Sequence, residues 1–300
     1  MKKQIFLFGL LILLGIGLYF QKNQNKPQAQ LKNVNQSKGD PHPLQISEMR
    51  KKDYPGSEIT IEEELEPGSN YSRYLASYRS EGLKINALLT VPEGDPPVGG
   101  WPAIVFNHGY IPPAEYSTTS RYVAYTNAFS SNGYAVLKPD YRGHGSSEGK
   151  PEGGYYSPAY TVDVLNALSS IKKYPGVNPE KIGMWGHSMG GSLTLRSMVV
   201  SKDIKAGVIW AGVVGSYEDM IKNWRRSRPF MLSEREQAFR RPGRQALIDK
   251  YGDPDKNPEF WESISPIYFV KDISGPLQLH HGTVDEEVPL LFSERLKETM

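Results

Sequence analysis

The sequence has 300 residues, of which 38% are hydrophobic, so it can build a substantial core. Its formal net charge of +2 gives no reason to expect nucleic acid as a partner, because nucleic-acid binding usually needs a strongly basic face. The absence of cysteine excludes disulfides, thiolate nucleophiles and cysteine-ligated metals.

The first twenty residues predict a signal peptide or a membrane anchor. Lys2 and Lys3 precede an uninterrupted apolar run, Ile5–Phe20. As a helix this run would span about 24 Å, against a hydrocarbon core of about 30 Å. No clean small-x-small cleavage site follows it, so both interpretations stay open. Either one predicts an extracytoplasmic protein, membrane-anchored through this segment if it is uncleaved and secreted if it is cleaved. Residues 21–46, rich in Gln, Asn, Lys and Pro, predict a disordered tether.

The remainder, residues 58–300, predicts one domain in which strands come first and then alternate with helices. Strands are predicted at Ile59–Leu65, Arg73–Tyr78, Leu83–Val91, Ala103–Phe106, Tyr134–Leu137, Lys181–Trp185, Ala206–Ala211 and Leu277–His281. Helices are predicted at Thr118–Ser131, Tyr160–Lys173, Ser188–Val200 and Leu290–Met300. This order predicts an α/β fold with a mostly parallel mixed sheet covered by helices on both faces. Residues 216–266 break the alternation and predict a helical lid insertion over the carboxyl ends of the strands.

Gly186-His187-Ser188-Met189-Gly190 fits the G-x-S-x-G nucleophile elbow. The pentapeptide alone is a weak signal, because glycine is common in this chain. Its context is stronger, since it follows an apolar strand and opens a helix, which is the strand–turn–helix setting that the motif requires. The sequence therefore predicts Ser188 as a catalytic nucleophile. The alternative is a glycine-rich turn with a helix-capping serine.

Two further segments complete the predicted site. His108-Gly109-Tyr110 follows the first buried strand, where this fold places a loop that lends a backbone N–H to the oxyanion hole. We therefore predict the amides of Tyr110 and Met189 as oxyanion donors, and a structural role for His108. Asp285 follows a late strand, where the acid that orients the catalytic histidine is found. No cofactor or metal is predicted, because the consecutive His280 and His281 point to opposite faces of a strand.

With these segments in place, the chain resembles the catalytic domain of prolyl-oligopeptidase-type serine peptidases within the α/β-hydrolase superfamily. The resemblance runs from Tyr78 to Met300 through His108-Gly109, Asp140-Tyr141-Arg142-Gly143, the elbow, and His281-Gly282-Thr283-Val284-Asp285. It implies serine peptidase or esterase activity on a small peptide or ester, with Ser188 and Asp285 as nucleophile and acid. Asp140 and Arg142 are predicted to tie down their own loop.

The resemblance also implies a catalytic histidine after Asp285, and the six histidines stand at 42, 108, 144, 187, 280 and 281. We therefore expect this histidine, with a last strand and helix, to lie beyond residue 300. Three functions remain open: a prolyl-oligopeptidase-like peptidase that forms an acyl-enzyme, a carboxylesterase, and a non-catalytic binding protein on a hydrolase scaffold.

Overall fold

A computed structural model describes residues 41–224 and 234–300, and of residues 234–242 it describes only the backbone. The centre is an eight-stranded sheet with the strand order β1-β2-β3-β5-β4-β6-β7-β8. The strands are β1 (Thr60–Leu65), β2 (Tyr71–Ser80), β3 (Leu83–Pro92), β4 (Trp101–Asn107), β5 (Ala135–Pro139), β6 (Val177–His187), β7 (Ala206–Trp210) and β8 (Leu277–His280). The helices are α1 (Ile46–Met49), α2 (Val123–Ser131), α3 (Ala159–Ile171), α4 (Met189–Val200), α5 (Tyr217–Lys222), α6 (Glu234–Tyr251), α7 (Pro258–Ile264) and α8 (Leu290–Thr299).

The sheet is antiparallel at its beginning and parallel in its remainder. The first three strands and β5 pair in antiparallel fashion, whereas β5, β4, β6, β7 and β8 are parallel neighbours. A two-residue turn joins β2 to β3, and both of its residues, Glu81 and Gly82, have positive φ, as a tight hairpin requires. The predicted mostly parallel mixed sheet is confirmed.

Alternate residues of the central strand β4 point into two different cores, which is the period-two pattern of a strand buried on both faces. Ala103 and Val105 join the larger core, which contains residues of α3 and α4. Ile104 and Phe106 point the other way, into a smaller core against which Phe129 of α2 packs. The predicted covering of both sheet faces by helices is confirmed.

Helix α2 begins later than predicted, at Val123 rather than Thr118. The reason is local, because Arg121 and Tyr122 both have left-handed backbone angles, with φ of 63° and 57°. A right-handed helix cannot continue through such residues. The Thr118 hydroxyl instead donates a hydrogen bond to the Asp140 carboxylate, at 2.6 Å.

The segment 216–266 contains α5, α6 and α7. Its own hydrophobic cluster includes Tyr217, Phe260 and Trp261, and Leu44 packs into the same cluster. The prediction of a tether that reaches residue 46 is therefore wrong at its end, since Leu44 and Ile46 are fully buried. The burial of these apolar side chains offsets the entropy of ordering this stretch.

The predicted signal peptide or anchor at 1–20 lies outside the described residues, and so do residues 21–40 of the predicted tether. Within the described ranges, no helix combines the length and apolar character needed to cross a membrane.

Candidate active site

The sequence-predicted site residues meet at one edge of the sheet. Strands β4, β6, β7 and β8 are parallel, so their carboxyl ends lie along the same edge. Tyr110 follows β4, Ser188 and Met189 follow β6, and Asp285 follows β8. Strand β4 is the direct neighbour of β6, whereas β7 separates β6 from β8. The Tyr110 loop is therefore adjacent to the elbow, and Asp285 lies two strands away on the same edge.

Ser188 occupies the turn between β6 and α4 with φ of 53° and ψ of −115°. Such a conformation is strained for a residue with a side chain, and it is typical of a nucleophile elbow. Backbone hydrogen bonds hold the turn on both sides. The Ser188 amide donates to the Trp210 carbonyl at 3.0 Å, and the Ser188 carbonyl accepts from Gly191 and Val213 at 3.0 and 3.1 Å.

The elbow packs directly against the loop that carries Tyr110. A Cβ added to Gly190 would lie 2.8 Å from the His108 carbonyl oxygen, so only glycine allows the two backbones to come this close. Asn107, the last residue of β4, is paired with Gly186 of the elbow strand. The structure thus brings together the chain segments that carry the two predicted oxyanion donors.

Backbone contacts fix the carboxylate of Asp285. Its Oδ1 accepts hydrogen bonds from the amides of Glu287 and Val288, at 2.8 and 2.9 Å. Its Oδ2 lies 3.4 Å from Nε2 of His281. The His281 ring is itself engaged, with Nε2 2.9 Å from the Val288 carbonyl oxygen and Nδ1 2.7 Å from the Ser293 hydroxyl. This arrangement orients the acid.

The charge of Asp285 also acts on the residue before the candidate nucleophile. Burial lowers the pKa of His187, and the nearby Asp285 carboxylate acts in the opposite direction. Nδ1 of His187 is 2.8 Å from the Tyr122 hydroxyl. His187 therefore interacts with both the Asp285 carboxylate and the Tyr122 hydroxyl.

Asp140 lies at the end of β5, at the centre of a buried polar cluster. It accepts hydrogen bonds from the hydroxyls of Tyr116 (3.0 Å) and Thr118 (2.6 Å). Burial raises the pKa of Asp140 to about 7, although the two hydroxyls and Lys138 act against that rise. His108 lies against this cluster, between the rings of Tyr116 and Tyr141.

Sequence reasoning missed Asp163, Trp224 and Tyr122. The Asp163 carboxylate, fully buried on α3, binds the Arg142 guanidinium at 2.7 Å. Trp224, at the end of the described part of the insertion before residue 234, donates from Nε1 to the Glu287 carbonyl at 2.8 Å. The Trp224 ring also contacts the Tyr155 ring, at 5.5 Å between centroids. The insertion therefore touches the loop that carries Asp285. Nothing in the sequence pattern marks these long-range contacts.

In the two described stretches, no three His, Asp or Glu side chains come close enough together to hold a metal ion.

The sequence model of the serine aminopeptidase (S33) family matches residues 102–245. An uncharacterized peptidase, YtmA of Bacillus subtilis, is 26% identical over 235 residues, which cover 78% of this chain and 81% of the relative. The matched residues include the elbow, and the sheet carries the elbow at the carboxyl edge. The chain has the α/β-hydrolase fold, and by its similarity to the serine aminopeptidase family model and to this peptidase it is a serine hydrolase.

Solved structures of other α/β-hydrolases share the fold of this serine hydrolase. Acetyl xylan esterase 1 from a Thermoanaerobacterium species superposes with a TM-score of 0.59 at 18% identity, covering 91% of this chain and 89% of its own. Acylaminoacyl peptidase from Pyrococcus horikoshii gives 0.57 at 23% identity, covering 77% of this chain and 36% of its own. The predicted resemblance to prolyl-oligopeptidase-type catalytic domains is confirmed at the level of the fold.

Proposed function

We propose that this serine hydrolase cleaves short peptides through an acyl-enzyme on Ser188. The observation that carries the proposal is the positive-φ turn of Ser188 between β6 and α4, at the sheet edge that also bears Tyr110 and Asp285. A serine held there has its amide neighbours on one side and a fixed carboxylate on the other. This is the geometry that acyl transfer needs.

In the proposed reaction, Ser188 Oγ attacks the substrate carbonyl, and a base takes its proton. In a serine-hydrolase triad this base is a histidine, and Asp285 is the candidate for the acid that orients it. The amides of Tyr110 and Met189 stabilise the tetrahedral oxyanion. Collapse expels the leaving amine, which takes the proton from the base. Water then attacks the acyl-enzyme and releases the acid product.

The comparisons support a peptide rather than another acyl substrate. The relative with the long alignment, YtmA, is described as a peptidase, and the matching family model is that of a serine aminopeptidase. The aromatic side chains of Trp224 and Tyr155 contact each other where the insertion meets the Asp285 loop. An aromatic pair at this place would favour small substrates, whether peptides or esters.

A carboxylesterase is the second candidate. Acetyl xylan esterase 1 covers 91% of this chain, whereas the acylaminoacyl peptidase from Pyrococcus covers 77%. Ester and amide hydrolysis use the same nucleophile and the same oxyanion donors, and they differ mainly in the leaving group that must be protonated.

The experiment is a substrate panel of aminoacyl amides and short-chain aryl esters, tested on the full-length protein. We expect turnover of aminoacyl amides that Ser188→Ala lowers about 10⁶-fold in kcat. The matched control is Ser201→Ala at the far end of α4, whose hydroxyl accepts only a local hydrogen bond from the Asp203 amide in the described contacts. This control should keep wild-type activity.

Turnover of esters without amides would favour the esterase and contradict the peptidase. A fluorophosphonate probe addresses the third possibility, a binding protein on a hydrolase scaffold. Labelling that Ser188→Ala abolishes supports the proposal. A wild-type protein that is neither labelled nor active would overturn it.

A further inference from the structure

The peptide group between Gly109 and Tyr110 is held by its carbonyl. Nδ1 of His108 lies 2.7 Å from the Gly109 carbonyl oxygen. Burial lowers the pKa of His108 well below its ordinary value, so the ring is neutral and carries one N–H. A peptide group is planar, and its N–H points away from its C=O. A contact that fixes the Gly109 carbonyl therefore also fixes the direction of the Tyr110 N–H.

The hydroxyl of Tyr122 holds the other side of Gly109. The Gly109 amide donates to Tyr122 Oη at 2.9 Å, and the same oxygen lies 2.8 Å from His187 Nδ1. Because the Gly109 amide already supplies one proton to this oxygen, the hydroxyl proton of Tyr122 is available to His187. Burial lowers the pKa of His187 and favours the neutral ring, which can accept that proton bond.

Tyr122 and His187 leave no room for a side chain at Gly109. A Cβ on Gly109 would lie 2.8 Å from Tyr122 Oη and 3.0 Å from His187 Nδ1. The Tyr122 ring also packs edge-on against Phe106 at 5.4 Å and Trp185 at 6.2 Å. Its backbone is left-handed, a conformation that residues other than glycine seldom adopt. Backbone and ring together fix the position of the hydroxyl.

We propose that Tyr122 is a positioning residue for hydrolysis: its hydroxyl ties the loop of the oxyanion donor Tyr110 to the elbow of Ser188 by binding Gly109 and His187 together. This inference rests on the proposed function, because it assigns Tyr110 as a donor. In this assignment Tyr122 acts through Gly109 and His187. It acts by keeping the donor amide and the nucleophile in register when the oxyanion forms.

The first test is Tyr122→Phe, which removes both hydrogen bonds and keeps the ring. Complete loss of one oxyanion donor costs about 10²–10³-fold in rate, so its misplacement should lower kcat about 10-fold. KM for a substrate of the active wild type should change less than about twofold, since ground-state binding does not need the donor. Affinity for a trifluoromethyl ketone analogue, whose adduct carries the oxyanion, should fall in parallel with kcat.

The matched control is Tyr125→Phe. Tyr125 lies three residues further on, in α2, and its ring contacts Trp185 and Trp210. We expect wild-type kcat, KM and analogue affinity for this variant. If Tyr122→Phe behaves like Tyr125→Phe, or if it raises KM alone, the inference is overturned.

A second pair of variants tests the hydrogen bond between Tyr122 and His187 from the histidine side. His187→Asn can place an amide oxygen near the position of Nδ1, whereas His187→Gln moves that oxygen one bond further out. The Gln variant should lose kcat as Tyr122→Phe does, and the Asn variant should keep more of it. Both changes break the same link between Gly109 and His187. The kcat of the double variant Tyr122→Phe with His187→Gln should therefore be no lower than that of either single variant.

Additive losses in the double variant would contradict the inference while leaving the proposed function intact. This pair also covers the case in which Tyr122→Phe fails to fold. A wild-type protein without Ser188-dependent turnover would overturn the proposed function, and the inference with it.

Discussion

The His108 ring is wholly enclosed. It lies between Tyr116 and Tyr141, with ring centroids 4.6 and 4.3 Å away, and Nδ1 points at the Gly109 carbonyl oxygen. Burial lowers its pKa well below the ordinary 6.5, and the charges of His144 and Lys138 lower it further. The native protein therefore does not bind a proton here at a pH at which the unfolded chain does.

Stability should consequently fall on acidification. A group whose native pKa is lowered contributes stability that is present above its unfolded pKa and is lost as the pH falls below it. One such histidine costs about 1 kcal/mol of unfolding free energy between pH 6.5 and 5.5. Urea unfolding of wild type and His108→Asn at both values isolates this contribution. Equal losses in the two proteins would contradict the assignment.

The individual residues that the sequence predicted are those marked by a motif or by their place next to a strand. Ser188 follows from a pentapeptide between a strand and a helix, and Asp285 from its place after a late strand. Tyr122 and Asp163 have no such signal. Tyr122 contacts a residue 65 positions away, and Asp163 accepts a hydrogen bond from Ser80, 83 positions away. Only the fold brings these partners together.

The loop after β5 is linked to the sheet and to α3 by Arg142, which forms ion pairs with one buried and one half-exposed acid. The Arg142 side chain, 8% exposed, binds Asp163, which is 0% exposed, and Glu81, which is 49% exposed. The Asp163 carboxylate also accepts from the Arg142 amide at 2.9 Å and from the Ser80 hydroxyl at 2.7 Å. Strand β2, the Arg142 loop and α3 therefore share one buried carboxylate.

The two acids should differ strongly in what they contribute. Asp163→Ala leaves a buried guanidinium without its buried partner and should lower the unfolding free energy by about 3–5 kcal/mol. Glu81→Gln removes a half-exposed partner and should cost less than about 1 kcal/mol. Chemical denaturation of both variants measures the difference. Similar values would mean that water reaches the Asp163 site.

The strands and helices were predictable because hydrophobic periodicity marks them directly. Where boundaries differ, tertiary contacts decide. Helix α2 starts at Val123 because Thr118 binds Asp140 and two left-handed residues follow. Strand β6 runs from Val177, earlier than its apolar run indicates, and Trp101 of β4 pairs with that first residue. A single-sequence pattern carries no information about either contact.

At the scale of the molecule, one buried arginine joins three distant parts of the chain. The Arg196 guanidinium on α4 donates to the Leu44 carbonyl at 3.0 Å, the Tyr217 hydroxyl at 3.0 Å and the Ile264 carbonyl at 2.8 Å. Arg196 is 3% exposed. The segment around Leu44 and the insertion are therefore both hydrogen-bonded to the same side chain of α4.

Arg196→Met should release both segments together. It leaves buried acceptors without donors, which we expect to cost about 3 kcal/mol of unfolding free energy. Limited proteolysis should then cut near Leu44 and in the insertion sooner than in wild type. Arg244→Met, an exposed change in the insertion, is the control and should resist as wild type does. Cleavage in only one segment would show that Arg196 does not couple them.

We propose that the N-terminal segment takes the protein out of the cytoplasm. Replacing Leu11 and Leu14 by Arg breaks the apolar run and should leave the protein in the cytosolic fraction, because charges in a helix centre oppose insertion. The same replacements at Gln24 and Gln28 are the control and should not change its location. Wild-type protein in the cytosolic fraction would refute the proposal.

The two outer strands of the sheet, among the residues that the structure describes, differ in charge. Strand β1 carries Glu62, Glu63 and Glu64 in succession, all exposed, whereas β8 at the opposite end carries no acid. Carboxylates on a free strand edge repel a second copy that would add to it. Replacing Glu63 and Glu64 by Gln should therefore weaken the barrier to strand addition at β1, and fibrillar self-association would then begin from this end of the sheet.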